Sequence, residues 1–326
     1  MSIPAGGGAA SAALDVAAID AAVAQPERRS HPQRRFSRRV REAGLGYLLI
    51  LPSLLVFSVF VFYPFIRNFY LGFFRTPPFP GLPKKAVGLT QYREVLTSHD
   101  FLNSLKVTVL FALYTVPVGL AAGLALAVLA HQKLRGMGIY RTIFSSTVAT
   151  SVAVASVIFG TLLNPNVGLL PWLGLQTTPS ILQNPTWALA AVAITTIWQN
   201  LGLSFILMSS GLQAIPDELV EAAQIDGAGA WSRFRNVTVP LLSPTIFFSV
   251  VVGSIFAFQT FGQIDLLTQG GPTKHTNVLT YFIYTSLQQQ QDDGKAAVLA
   301  VALFGITLLL TLVQMRLLER RVFYAR

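Results

Sequence analysis

Carboxylates and amides are the residues of this 326-residue chain whose types and spacing could do chemistry. Asp217, Glu218 and Glu221 follow Pro216 closely, and Asp226-Gly227, Trp231, Arg233, Arg235 and Pro240 come after them. Pro216 can open a helix at its first position, where a missing N–H costs nothing. The acidic groups then lie near the positive end of that helix's dipole. Leu219, Val220, Ala222, Ala223 and Ile225 supply small and apolar surface. Asp226-Gly227 is a turn signal, and Trp231 to Val239 reads as a second short amphipathic segment. Such a helix–turn–helix offers docking rather than catalysis, with a small-residue face that another protein can grip.

A second set, Gln199, Asn200, Gln259, Thr260 and Gln263, sits in or beside long apolar stretches. In lipid such side chains face a helix bundle or a cavity. They either line a passage for a hydroxylated solute or join helix to helix. Phe256, Phe258 and Phe261 read as packing. His31, His99, His131 and His275 lack ligand spacing, so no metal site is expected. The absence of Cys excludes disulfides and thiolate chemistry. Asp292-Asp293 comes nearest to a pair of catalytic acids and reads more simply as a solvated turn.

The elements that must position these groups are membrane helices. Hydrophobic residues make up 52% of the chain and charged residues only 12%, about half the charged share of a soluble domain. Six stretches free of Asp, Glu, Lys and Arg are long enough to cross a bilayer: Gly46–Ile66, Val107–Ala130, Thr142–Leu163, Trp187–Gly211, Leu241–Ile264 and Ala296–Met315. Asn164-Pro165-Asn166, with Pro171, Pro179 and Pro185, divides the third from the fourth. The expected fold is an all-α integral membrane protein of six transmembrane helices. Residues 1–44 read as a disordered cytoplasmic tail, 45–103 as the first helix and an outer loop, 104–315 as the core, and 316–326 as a C-terminal tail.

Charge sets the expected orientation. The net charge is +10, and Arg28, Arg29, Arg34, Arg35, Arg38, Arg39 and Arg41 form a block just before the first span. Such a block is a topology determinant that can touch anionic membrane lipid. No groove-reading motif accompanies it, so nucleic acid is not an expected partner. With both termini in the cytoplasm, the inner segments hold 16 Lys and Arg and the outer segments 7. This asymmetry predicts a multi-pass protein of a cytoplasmic membrane with 164–186 and 265–295 outside.

Ion-coupled carriers need ionisable groups at membrane depth, and the six stretches contain none. That leaves an ion-coupled secondary transporter as the weaker alternative. The chain also lacks the Gly-x4-Gly-Lys-Ser/Thr loop of an ATPase. Any energy from ATP must therefore enter through a partner.

The segment 216–240 resembles the cytoplasmic signature of the permease subunits of binding-protein-dependent ABC importers. That signature reads Glu-Ala-Ala, three residues, Gly, nine residues, Ile-x-Leu-Pro. This chain has Glu221-Ala222-Ala223, Gly227 and Val237-Thr238-Val239-Pro240, with Val in both apolar places. Leu48 to Phe57, Tyr63-Pro64, Val87 to Tyr92, Leu163-Asn-Pro165, Trp198 and Gly211 to Pro216 are similar to the carbohydrate-type permeases. Phe258 to Asp265, Thr268 to Pro272 and Val313 to Arg316 most resemble the first permease of glycerol-3-phosphate importers.

The resemblance implies a type I ABC importer permease fold that moves a sugar, glycerol-3-phosphate or a glycerophosphodiester by alternating access. It implies a coupling helix in which Glu221, Ala222, Ala223, Asp226, Gly227 and Pro240 meet the ATPase. The implied partners are a second similar permease, two ATPase subunits and an extracytoplasmic solute-binding protein. ATP and Mg would reside on the ATPase, with no cofactor and no catalysis in this chain, in a bacterial or archaeal inner membrane.

Overall fold

The computed structural model describes residues 46–77, 82–132, 136–174, 180–318 and 322. The expected N-terminal tail and most of the C-terminal one lie outside them. The chain divides into two compact units at Pro64.

The first long helix, α1, runs Gly46–Leu71. It widens to a π-turn over Ser58–Phe62, where Tyr63 N–H donates to the Ser58 carbonyl. Pro64 follows at once and has no N–H to continue the ordinary ladder, so the turn before it relaxes to the longer bond. A two-stranded antiparallel ribbon comes next, β1 (Phe74–Arg75) with β2 (Lys85–Ala86), pairing Phe74 with Ala86. Then come the short α2 (Leu89–Leu96) and the 32-residue α3 (His99–Ala130). Ser98 caps α3, its hydroxyl accepting from Phe101 N–H at 3.2 Å.

The third apolar stretch is not the single helix its composition suggests. It forms α4 (Met137–Ala149) and α5 (Val152–Leu162), bent by 103° between them. Thr150 ends one helix and Ser151 caps the next, its Oγ accepting from Val154 N–H at 3.2 Å. A charge count is blind to that break, because Thr150 and Ser151 are polar but uncharged. The long α6 (Ala188–Gln213) follows, then α7 (Asp217–Ile225), α8 (Ala230–Phe258), α9 (Gly262–Leu267), α10 (Leu279–Tyr284) and α11 (Asp293–Leu318). Among the described residues five helices are long and apolar enough to cross a membrane, and the bent pair makes a sixth crossing if it counts as one.

Two expectations near α8 are corrected. The amphipathic segment Trp231 to Val239 is not a separate surface helix but the first turns of α8 itself. It joins the apolar part through a π-turn at Phe234–Thr238, where Val239 N–H reaches the Phe234 carbonyl ahead of Pro240. Pro244, four residues on, leaves the Pro240 carbonyl without its helical donor, and Ser243 Oγ donates to that carbonyl at 2.6 Å. The far end of α8 stops at Phe258, short of the expected Ile264. Gln259, Thr260 and Phe261 form a break before α9.

Two apolar clusters fix how the long helices run. Val107 and Phe111 of α3 pack with Val192 and Ala193 of α6. At the other end Ala127 and Ala130 meet Met208 and Leu212. The helices α3 and α6 are therefore parallel. Helix α8 runs against them, with Leu242 in the second cluster and Ala257 in the first. Most hydroxyls inside the long helices are satisfied locally: Thr108, Thr115, Thr195, Thr196 and Ser254 each donate to the carbonyl four residues back, at 2.7–3.1 Å. Several amides instead reach between elements, Gln263 to Gln199, Asn277 to Ser104 and Gln314 to Ser254.

Candidate functional site

Helix α7 and the turn after it occupy the end of the bundle where α6 finishes. Pro216 stands at the N-cap, one place earlier than the first-turn position expected, and Asp217 and Glu218 fill the first turn. The helix ends in a Schellman motif. Gly227 adopts φ +80°, its N–H donates to the Gln224 carbonyl at 3.1 Å, and Ala228 N–H reaches back to Ala223 at 3.0 Å. These are the two bonds that define the motif, and its left-handed position suits glycine because a Cβ there is strained. The spacing from Ala223 to Gly227 thus has a local physical reason. Arg233 Nη1 ties the turn to α8 by donating to the Ala228 carbonyl at 2.8 Å.

Outward from this frame the chain shows Glu221 and Ala222, exposed Leu219, and two bulky apolar groups, Ile225 at 87% and Trp231 at 71% exposure. Glu221 makes no ion pair among the described residues. The turn is a rigid knob with an acidic and apolar face.

The five polar residues singled out in the apolar stretches line one cavity of about 290 Å³. Gln199 and Asn200 come from α6, Gln259 and Thr260 from the break, and Gln263 from α9. Gln263 is only 5% exposed, and its Nε2 donates to Gln199 Oε1 at 2.7 Å. Gln199 Nε2 in turn approaches the Thr150 carbonyl at 3.4 Å. Asn200 and Thr260 donate to the carbonyls of Thr196 and Phe256, both at 3.1 Å. Phe256 and Phe261 form apolar walls, and Val152 places the start of α5 at the edge. The cavity is therefore polar, free of charged side chains, and built at two helix breaks. Irregular backbone at membrane depth is tolerated where it is buried in protein or lines a cavity.

Composition alone did not point to the residues that hold those breaks. Gly202 N–H in α6 donates to Thr147 Oγ1 at 2.8 Å. A Cβ on Gly202 would lie 2.5 Å from that oxygen, 2.9 Å from Val148 N and 3.0 Å from the Phe144 carbonyl, so α6 meets the bend only through a glycine. Hydroxyls flanking a helical pattern are the one sequence signal that could have marked the break.

At the opposite end from α7, a polar stripe on α3 staples the segment after α9. Asp100 accepts from Lys274 Nζ at 2.7 Å, and Asn103 Nδ2 donates to the Lys274 carbonyl at 3.1 Å. Ser104 Oγ accepts from Asn277 Nδ2 at 3.2 Å, and Thr108 Oγ1 accepts from Leu279 N–H at 2.8 Å. These α3 positions share one helical face. Fully buried Thr276 closes the turn from inside, bonding the Gly271 carbonyl at 2.6 Å and Thr268 Oγ1 at 2.7 Å.

A bundle of membrane-length helices around an uncharged polar cavity, with an exposed acidic and apolar turn at one end, is the architecture of a membrane transport subunit. Residues 115–324 match the family model described as "Binding-protein-dependent transport system inner membrane component". The chain belongs to that family. It is 38% identical over 285 residues to the sn-glycerol-3-phosphate transport system permease protein UgpA of Agrobacterium fabrum (strain C58 / ATCC 33970), covering 86% of this chain and 96% of that one. It is 36% identical over 283 residues to the UgpA protein of Yersinia enterocolitica, covering 86% and 96%. Among solved structures, a bacterial ABC transporter involved in the import of the acidic polysaccharide alginate shares the fold. The TM-score is 0.76 at 22% identity, over 88% of this chain and 99% of that one. The same transporter in complex with an alginate pentasaccharide-bound periplasmic protein gives 0.75, over 88% and 98%.

Proposed function

We propose that this chain is one permease subunit of an ATP-driven importer for glycerol-3-phosphate or a related hydroxylated solute. It pairs with a second permease of similar fold, two ATPase subunits and an extracytoplasmic solute-binding protein. The carrying observation is the similarity to glycerol-3-phosphate permeases over 86% of the chain. The periplasmic protein bound to the related alginate transporter supports the binding-protein partner.

In this reading α7 is the coupling helix, with Glu221, Ala222, Ala223, Asp226, Gly227 and Pro240 as its working residues. Its exposed apolar and acidic face docks on an ATPase, which carries the ATP and Mg, and this chain performs no covalent chemistry. Arg233 and the unbroken run of α8 pass motion of the knob directly into a transmembrane helix. The cavity of Gln199, Asn200, Gln259, Thr260 and Gln263 is part of the passage and meets solute with amides and hydroxyls. The basic asymmetry supports a cytoplasmic position for α7 and both termini, in the inner membrane of a bacterial or archaeal cell in this reading.

The test is uptake of labelled sn-glycerol 3-phosphate by cells with and without the gene. Uptake that requires the gene, falls on ATP depletion and survives a protonophore is expected. Uptake that collapses with the proton gradient while ATP is held constant overturns the reading.

A further inference from the structure

The end of the bundle away from α7 holds a second polar recess, about 370 Å³ in volume, distinct from the cavity at the helix breaks. Asp100, Lys274, Asn277, Tyr281, Gln289 and Gln290 line it. We infer that this recess is a receiving site where a hydroxyl-rich solute is held by the permease before it enters the passage. The inference rests on the proposed function and adds a solute site to it.

Three observations carry it. The first is size and preorganisation. The volume lies in the range of small-ligand pockets, and the wall is stapled to α3 through Asp100, Asn103, Ser104 and Thr108. The second is the balance of polar groups. The Lys274 ammonium and the Asp100 carboxylate, 2.7 Å apart, present a donor and an acceptor without net charge. Gln290 Oε1 accepts from Lys295 Nζ at 3.1 Å, and that ammonium lies 4.8 Å over the Phe282 ring. Asn277 is only 6% exposed, and its Oδ1 has no hydrogen-bond partner among the described residues. The Lys295 ammonium is not itself among the lining groups, and the lining of amides, an ion pair and aromatic rings suits alternating hydroxyls and C–H faces.

The third observation is position. Tyr281 lines the recess and stacks on Phe261 with centroids 6.1 Å apart, and Phe261 lines the passage cavity. Tyr284 packs on both rings, 4.9 Å from Phe261 and 5.9 Å from Tyr281, so a three-ring aromatic cluster joins the wall of the recess to that of the passage cavity. In this inference the solute leaves the recess past that cluster.

The experiment uses the lack of native Cys. Gln289→Cys at the recess and Trp172→Cys, an exposed control, are labelled with a maleimide in the assembled transporter in membrane vesicles, without binding protein. The probes are sn-glycerol 3-phosphate, glycerol, maltose and inorganic phosphate. Hydroxylated probes that the unaltered transporter takes up should slow labelling at Gln289→Cys only, and inorganic phosphate should not. Adding Asn277→Ala should raise the half-protecting concentration about fivefold, the worth of one hydrogen bond. Should that variant lower membrane abundance, Gln290→Ala on the rim carries the same expectation. Normal uptake without protection overturns the receiving site and leaves the proposed function standing. Equal protection by inorganic phosphate overturns hydroxyl recognition. Protection seen only after binding protein is added makes the recess a protein-docking surface and overturns the inference. If whole cells that carry the unaltered transporter together with its binding protein take up none of the hydroxylated probes, the functional reading falls, and the receiving site with it.

Discussion

Truncating Gln199 and Gln263, singly and together, probes the passage most directly. The Gln263–Gln199 bond is short, at 2.7 Å, and joins two neutral amides, so its net worth is about 1 kcal/mol. Gln263→Ala removes that bond and leaves Gln199 Oε1 facing the cavity. The cavity of about 290 Å³ has room for several waters at roughly 30 Å³ each, so the penalty stays near the low end. Gln199→Ala loses the same bond and also takes the amide from the Thr150 carbonyl at the bend. Full burial of an acceptor left without a donor costs about 1–3 kcal/mol, and the part-buried Thr150 carbonyl adds a share of that, so this variant should be the worse of the two. The double variant should be little worse than Gln199→Ala, giving a coupling energy of about 1 kcal/mol. Thermal unfolding of the purified transporter measures the cycle, and initial uptake rates on the same samples report the passage. Additivity within about 0.3 kcal/mol would show that the two amides do not meet. Unchanged uptake in all three variants would refute their place in the passage.

Further outcomes follow from other parts of the molecule. Gly202→Ala should destabilise by about 1–3 kcal/mol through overpacking against Thr147 and Val148, read as lowered melting temperature and abundance. Glu221→Lys and Gly227→Pro should abolish uptake with normal membrane abundance and lose ATPase co-purification. Normal transport with the charge of Glu221 reversed would end the coupling assignment. Cysteines at Asn166 and Gly229 should label from opposite sides of the membrane, and labelling from one side would refute the topology.

Five of the six expected membrane helices, and their order, were legible because uncharged runs of the right length have few other uses. The bend at Thr150-Ser151 was not legible. Lipid exposure forbids charge but says nothing about a hydroxyl that can cap a new helix as readily as it bonds its own. The junction between the surface turn and α8 was hidden for a related reason. Arg233 and Arg235 mark an aqueous boundary, and a helix runs across such a boundary without interruption. For the polar cavity, residue type was enough to nominate Gln199 and Gln263, because a side-chain amide carries donors and an acceptor that one backbone carbonyl of its own helix cannot all satisfy. Their meeting needed the break at Gln259–Phe261, which no local pattern announces. The stripe on α3 was missed because all of its polar residues but Thr108 lie ahead of Val107, outside the apolar run that drew attention to the helix.

The π-turn at Phe234–Thr238 has a consequence for angular phase. Each residue of an α-helix advances the chain by about 100°, and a π-turn takes one residue more than an α-turn to come round. The surplus residue therefore sets the azimuth at which α7 leaves the axis of α8. Deleting one residue between Phe234 and Thr238 would keep a continuous helix and an intact membrane core while swinging the knob to a different compass bearing. In that sense the bulge works like the indexing pin of a shaft: it transmits no force of its own, but it decides which way the lever points.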